Sequence, residues 1–322
     1  MPDEPAADVQ AVLDAIEAMD APDYHELTAP EARDLRRGFF DDDGADASAD
    51  AADRTVPGPG LEIPVRVYRP DADGPHPVVV YFHGGGFVLG TLDSRDPICR
   101  TLATDAECVV VSVAYRLAPE HPFPAAVEDA YAATEWVAAN AGAVGGDPDR
   151  VAVAGDSAGG NLAAAVSLAA RDRDGPDVAH QALAYPVLDY REDGYPSHEE
   201  NATGYFLEAA GMAWFDDHYV DSWVHRANPY LSPVAAASHA DLPPATVVTC
   251  GFDPLRDEGL AYVDALEAAG VPVTHRHYED LIHGVASMVA DPVDTRSGRE
   301  VLAQFAADLR EALHGRPPEP QR

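Results

Sequence analysis

From residue 61 to the end of the chain, short continuous apolar runs alternate with segments whose apolar residues fall at helical spacing. The runs are LEIPVRVYRP (61–70), PVVVYFH (77–83), CVVVSVAY (108–115), RVAVAGD (150–156), HQALAYP (180–186), ATVVTCG (245–251) and VPVTHRHYE (271–279). Helix-like stretches lie near 95–105, 124–140, from 158 onward and 256–269, and the last carries Leu302, Phe305, Ala306, Leu309 and Leu313. In the stretch near 124–140, Val127, Ala130, Tyr131, Thr134 and Val137 keep a period close to 3.6. A strand that is apolar along its whole length is covered on both faces, and strand–helix alternation builds parallel sheets. The pattern predicts an α/β protein, with a mostly parallel sheet and helices on both of its faces.

The alternation lapses between residues 187 and 244. That interval contains Tyr205, Phe206, Leu207, Trp214, Phe215, Tyr219 and Trp223, too many aromatic residues for a solvated loop. It reads as a helical cap inserted at about 190–240. Upstream, Val9, Val12, Leu13 and Ile16 place a short amphipathic helix over residues 6–20, expected to pack with the cap over one end of the sheet. The stretch DDDGADASADAAD (41–53) has almost no large apolar side chain and reads as a solvated connector. The resulting plan is an N-terminal helix and connector over 1–53, a catalytic domain with its cap over 54–314, and a fraying tail over 315–322. A chain of 322 residues suits one large core with an accessory lid.

Charge narrows the partners. The chain carries 56 acidic residues against 21 basic ones, a net −35, and every basic residue is arginine. Such a surface repels nucleic acid and anionic membranes, whose binding rests on clustered Lys and Arg. Near 1 M salt the Debye length is only ~3 Å, which screens the self-repulsion of such a chain, so a salt-loaded host is expected. Cys99, Cys108 and Cys250 are too few and too scattered for a disulfide framework or a zinc site. No basic, apolar leader opens the chain and no run of 18 apolar residues occurs, so a cytoplasmic protein without stable membrane attachment is expected. A homodimer remains open. Asn201-Ala202-Thr203 has glycosylation spacing, which in a cytoplasmic chain is a chance match.

Two motifs carry chemistry. GDSAGG (155–160) follows the strand-like RVAVA and leads into a helix-like run, the context in which G-x-S-x-G presents a nucleophilic serine on a sharp turn. Ser157 is therefore the candidate nucleophile. A serine hydroxyl needs a histidine to take its proton and a carboxylate to orient that histidine. His283, in YEDLIHGV after the last strand, is the candidate base, and Asp253, at the end of ATVVTCGFD, ranks ahead of Asp257 as the acid. HGGG (83–86) places bare backbone at a strand end, suited to amide donors for an oxyanion. Two rivals stand beside this reading. A metal site would draw on His275, His277, Asp280 and His283, and a small-molecule receptor would use the cap as a lid.

HGGGFVLG, YRLAPEHPFPAAVEDAYAA, GDSAGGNLAA, YPVLD, GFDPLRDEG and the late His283-Gly284 occur in collinear order from about residue 60 to 310. In this the chain resembles the hormone-sensitive lipase family of α/β-hydrolases. The resemblance implies an eight-stranded α/β-hydrolase fold with a helical cap, and a carboxylesterase acting on small esters with neither metal nor other cofactor. It makes Ser157 the nucleophile, Asp253 the orienting acid, His283 the base, and Gly85, Gly86 and Ala158 the oxyanion donors. An aromatic cap contacting the acyl group would draw on Tyr205, Phe206 and Trp214. Val285 stands where many members of the family carry phenylalanine. The same machinery also serves acetylated sugars, lactones and amides.

Overall fold

The computed structural model describes residues 2, 4–40, 49–191, 194–290 and 292–315. Its strands are β1 (Asp50–Pro57), β2 (Glu62–Arg69), β3 (His76–Phe82), β4 (Val109–Val113), β5 (Gly146–Asp156), β6 (His180–Ala184), β7 (Ala245–Phe252) and β8 (Val273–Ile282). They form one eight-stranded sheet in the order β1-β2-β4-β3-β5-β6-β7-β8. β2 runs antiparallel to both β1 and β4, and all pairs from β4 across to β8 are parallel. The helices are α1 (Ala7–Ala18), α2 (Ala29–Phe40), α3 (Asp96–Asp105), α4 (Ala125–Val144), α5 (Ala158–Asp172), α6 (Pro196–Glu200), α7 (Ala209–Tyr219), α8 (Arg256–Ala268) and α9 (Arg296–His314).

The continuous apolar runs are explained by two cores. Along β3, Val78, Val80 and Phe82 pack with Tyr131 and Val137 of α4, Leu162 and Val166 of α5, and Tyr262 of α8. Val79 and Tyr81 point the other way, toward Leu102 of α3 and Leu302 and Phe305 of α9. Each fully buried side chain of this size contributes about 1.5–3 kcal/mol. Both faces of the central strands are used, so no polar alternation is left in the sequence. Cys99, Cys108 and Cys250 are buried among these side chains, unpaired.

Three features differ from the sequence reading. Residues 50–53, expected in a connector, begin β1, an edge strand whose side chains are mostly solvent-facing and which therefore needs no apolar alternation. Ala49 of that connector is buried in the core, and its remainder, 41–48, and the tail beyond 315 lie outside the described residues. Helix α2 had no counterpart in the sequence reading. Finally, α1 packs on α9 instead of the cap: Val9 and Val12 join the α9 core, the Ala6 amide donates to Asp280 O at 2.8 Å, and the Asp8 carboxylate accepts from the amide and hydroxyl of Ser297 at 2.8 and 2.9 Å. An aliphatic face meets the aliphatic stripe of α9. The aromatic face of the cap is met by Tyr24, whose ring centroid is 6.2 Å from that of Trp214 and 5.9 Å from that of Phe215.

Candidate active site

Strand β5 ends at Asp156 and helix α5 begins at Ala158, leaving Ser157 alone on the turn with φ 56° and ψ −118°. A non-glycine residue adopts that backbone only where its surroundings enforce it. Here the enforcement is close packing: a Cβ on Gly159 would stand 1.9 Å from Phe82 O, so only glycine lets α5 reach β3. The turn pushes the Ser157 side chain out of the sheet and aims the first amides of α5 at the same space, where a helix N-terminus favours negative charge.

Next to this turn, β3 runs into His83 and the three glycines. The Gly84 amide donates to Asp156 Oδ1 at 2.9 Å. Gly86 has φ 59°, and a Cβ there would lie 2.2 Å from the ring of Phe215 on α7. Asp156, 1% exposed, also accepts from Tyr81 Oη at 2.8 Å and pairs with Arg95 at 2.8 Å. Burial pushes its carboxyl upward, but the Arg95 charge and these donors outweigh that and hold it below the ordinary value. His83 is pushed down to about 4, chiefly by burial, and is neutral at physiological pH. Its ring stacks on Tyr115 at 4.3 Å, and the Tyr115 hydroxyl donates to His83 O at 2.6 Å.

Across the mouth of the turn, the structure brings Ser157, His283 and Asp253 together. Ser157 Oγ lies 2.9 Å from His283 Nε2, and His283 Nδ1 lies 2.9 Å from Asp253 Oδ2. With the imidazole proton on Nδ1, the hydroxyl donates to Nε2 and Nδ1–H donates to the carboxylate. Asp253 is fully buried, and its other oxygen accepts the Leu255 amide at 2.8 Å. Tyr185 sets its ring edge-on to His283 at 4.9 Å. Asp257, the second-ranked acid, is engaged elsewhere, by the Ser197 amide at 2.9 Å and Arg256 at 2.7 Å. His275 and His277 do share a face of β8, but both face the Thr249 hydroxyl, at 2.8 and 2.9 Å. Among the described residues no three His, Cys, Asp or Glu side chains stand close enough to hold a metal ion.

A cavity of about 330 Å³ opens over the serine. Ser157, His283, Gly85 and Gly86 form one end, and Phe206, Leu207, Met212 and Phe215 come down from the cap. Of the three cap aromatics expected in the pocket, only Phe206 lines it. Tyr205 packs on Phe252 at 4.9 Å. Trp214 is 8% exposed and turns away, donating Nε1–H to Leu27 O at 3.1 Å. The helical period decides this: Gly211, Met212 and Phe215 share the cavity face of α7, and Trp214 falls on the face toward Leu27.

Residues 79–287 match the protein family described by the alpha/beta hydrolase fold. The chain belongs to the α/β-hydrolase family. It is 44% identical over 269 residues to Esterase LipI of Mycobacterium tuberculosis, covering 82% of each protein. It is 38% identical over 251 residues to the Arylesterase of Saccharolobus solfataricus, covering 78% of this chain and 79% of that one. Among solved structures, a thermostable esterase from Pseudomonas putida matches with a TM-score of 0.92 at 36% identity, covering 97% of this chain and 99% of that one.

In this α/β-hydrolase three cavity residues escaped sequence reasoning. Phe215 is one aromatic among many in the cap and has no flanking motif. Asp156 lies inside GDSAGG, but its partner Arg95 is 61 residues away. Glu258, fully buried in α8, accepts the amides of Leu188 and, at 2.7 Å, Asp189. Leu188 and Asp189 stand in YPVLD, but no spacing in the sequence links that motif to Glu258.

Proposed function

We propose that this chain is a serine carboxylesterase that hydrolyses short- to medium-chain esters through an acyl-enzyme. One observation carries the reading: the unbroken line from Ser157 through His283 to Asp253, with both contacts at 2.9 Å, opening onto a cavity with bare glycine backbone beside the serine and apolar side chains reaching down from the cap. His283 takes the Ser157 proton as Oγ attacks the ester carbonyl, and Asp253 stabilises the imidazolium. The oxyanion is received by the amides of Gly85, Gly86 and Ala158; one such donor is worth about 3–4 kcal/mol in a comparable site. His283 returns the proton to the leaving alcohol. Water then repeats the cycle on the acyl-enzyme.

The setting belongs to the same proposal. A net charge of −35 without lysine is stabilised by concentrated salt and discourages anionic interfaces, which favours small soluble esters over emulsified fat. Among the described residues no helix is long and apolar enough to cross a membrane. Three buried, unpaired cysteines fit a reducing cytoplasm.

The test is a rate series on p-nitrophenyl esters from acetate to palmitate, for wild type and Ser157→Ala, from low salt to several molar KCl. A short-chain optimum at high salt, lost by a factor of at least about 10⁴ in the variant, supports the proposal. Activity retained by Ser157→Ala would move the chemistry elsewhere, and a wild type inert at every salt concentration would favour a receptor.

A further inference from the structure

The asparagine of the Asn-Ala-Thr triplet has an inward occupation. Asn201 is 2% exposed, and its Nδ2 donates to Gly251 O at 3.2 Å and Asp253 O at 3.1 Å. Gly251 lies in the last residues of β7 and Asp253 just past its end, so the two carbonyls flank the point where the strand gives way to the acid. Ser197, at the start of α6 and fully buried, donates its hydroxyl to Pro254 O at 2.6 Å and its amide to Asp257 at 2.9 Å. Glu200 pairs with Arg256 at 2.8 Å. The first turn of the cap thus grips the stretch 251–257 along its length.

That stretch needs holding. The β7–β8 ladder slips register between Cys250 and Phe252, so regular sheet pairing does not carry through to the acid. Beyond Phe252 the main chain turns sharply, and the Asp253 side chain reaches His283 through a single oxygen, its partner oxygen being spent on Leu255. A carbonyl buried without a donor is strongly disfavoured, and Asn201 donates to both. Arg256 also donates to both carbonyls, from its guanidinium to Gly251 O at 3.3 Å and from its amide to Asp253 O at 3.1 Å, but those bonds lie within the stretch itself, whereas the Asn201 side chain ties the two carbonyls to the cap. Five residues further along the chain, Phe206 lines the cavity above Ser157, so the element that touches the cavity and the element that seats the acid are one continuous segment.

We propose that Asn201, assisted by Ser197, is a positioning residue for the reaction. It fixes the main chain at Asp253 so that the carboxylate meets His283, and it makes the alignment of the imidazole depend on the seating of the cap. This rests on the serine-esterase reading above.

The experiment measures kcat per active site, KM and the pH profile of kcat/KM for Asn201→Asp, Asn201→Ala, Ser197→Ala and Ser197→Thr. Active sites are counted with a serine-directed phosphonate. Asn201→Asp keeps the shape but turns an acceptor toward two carbonyls. It is expected to lower kcat per site about tenfold or more, as a displacement on the order of 1 Å does elsewhere, with KM within about twofold. In Asn201→Ala, which adds no charge of its own, the acid limb of kcat/KM moves to lower pH, because the imidazolium has lost an aligned counter-charge. Ser197→Ala shows the same signs more weakly, and Ser197→Thr, which keeps the hydroxyl, recovers most of the loss. If Asn201 variants fail to fold, the Ser197 pair carries the test by the same measurements. A lower melting temperature with kcat per site and the acid limb unchanged would make Asn201 a packing residue and overturn the inference. That outcome leaves the enzyme reading intact as long as wild-type activity depends on Ser157; loss of that dependence would fell both.

Discussion

Asp156 and Glu258 are carboxylates buried in the walls of one cavity, yet their surroundings drive them in opposite directions. For Asp156, burial raises the carboxyl, and the Arg95 guanidinium with the donors Tyr81 and Gly84 pulls it further down, below its ordinary value. For Glu258, burial wins and the carboxyl is raised, although it accepts two backbone amides. Among the described residues it pairs with His198, at 3.5 Å an ion-pair contact looser than a close hydrogen bond. Neutral donors soften the loss of water, and a counter-charge buried alongside is what reverses it. The cavity therefore has one end built on a fixed internal charge pair, beneath the glycine loop, and another at the root of the cap whose charge depends on pH.

The fixed end should break hardest. Asp156→Asn leaves the Arg95 side chain, 3% exposed, without its counter-charge. A loss of about 3–5 kcal/mol in urea unfolding at neutral pH is expected. Because the folded carboxyl lies below its ordinary value of 3.8, its contribution is present above that value and lost as pH falls through the folded one. The gap between wild type and variant should therefore narrow below about pH 4. A loss under about 1 kcal/mol would mean that the pair holds nothing together.

Where the fixed loop meets the cap, Gly86 and Phe215 offer a sharper cut. Gly86→Ala adds left-handed strain of about 1–2 kcal/mol and drives a Cβ into the Phe215 ring. It should lower kcat/KM by about 10²-fold, mostly in kcat. Adding Phe215→Ala removes the clash and leaves the strain, so the double variant should outperform the sum of the singles by about 1–2 kcal/mol. Strict additivity would show that loop and cap do not press on one another. Phe215→Ala alone belongs to the adaptable side: it should raise KM for longer acyl chains about tenfold with kcat little changed, whereas Trp214→Ala lowers the melting temperature without moving the chain-length preference.

The same division separates what the sequence made legible from what it did not. Backbone constraints are written in local residue choice: Ser157 between glycines, and glycine at 84–86, announce a tight turn and a close approach without any knowledge of the fold. The central strands announce themselves because both faces are buried. Polar β1 does not, because an edge strand with one wet face has no pattern to show. Side-chain pairings between distant segments leave no local mark, so Arg95 beneath Asp156 and Asn201 beneath Asp253 were invisible, and the helical phase of α7, which favours Phe215 over Trp214, needed the position of Leu27. Asp253 was readable as the candidate acid because it stands where a strand ends and within GFDPLRDEG.

The mildest test addresses the adaptable end directly. Glu258 raises the His198 imidazole above its ordinary 6.5, against the opposing pull of burial. A group raised on folding contributes stability that is fully present below its unfolded value and lost as pH rises through the folded one. His198→Gln should therefore be indistinguishable from wild type near pH 8.5 and weaker by about 1 kcal/mol near pH 6. Below that, Glu258 takes up a proton earlier than an ordinary glutamate because burial raises it, so the pair dissolves and the deficit closes again toward pH 4. Urea midpoints measured across that range should trace a hump centred between roughly pH 5 and 6.5. A deficit of constant size would assign His198 to packing alone, and the contrast with Asp156 would then lie in burial and hydrogen bonding instead of in buried counter-charge.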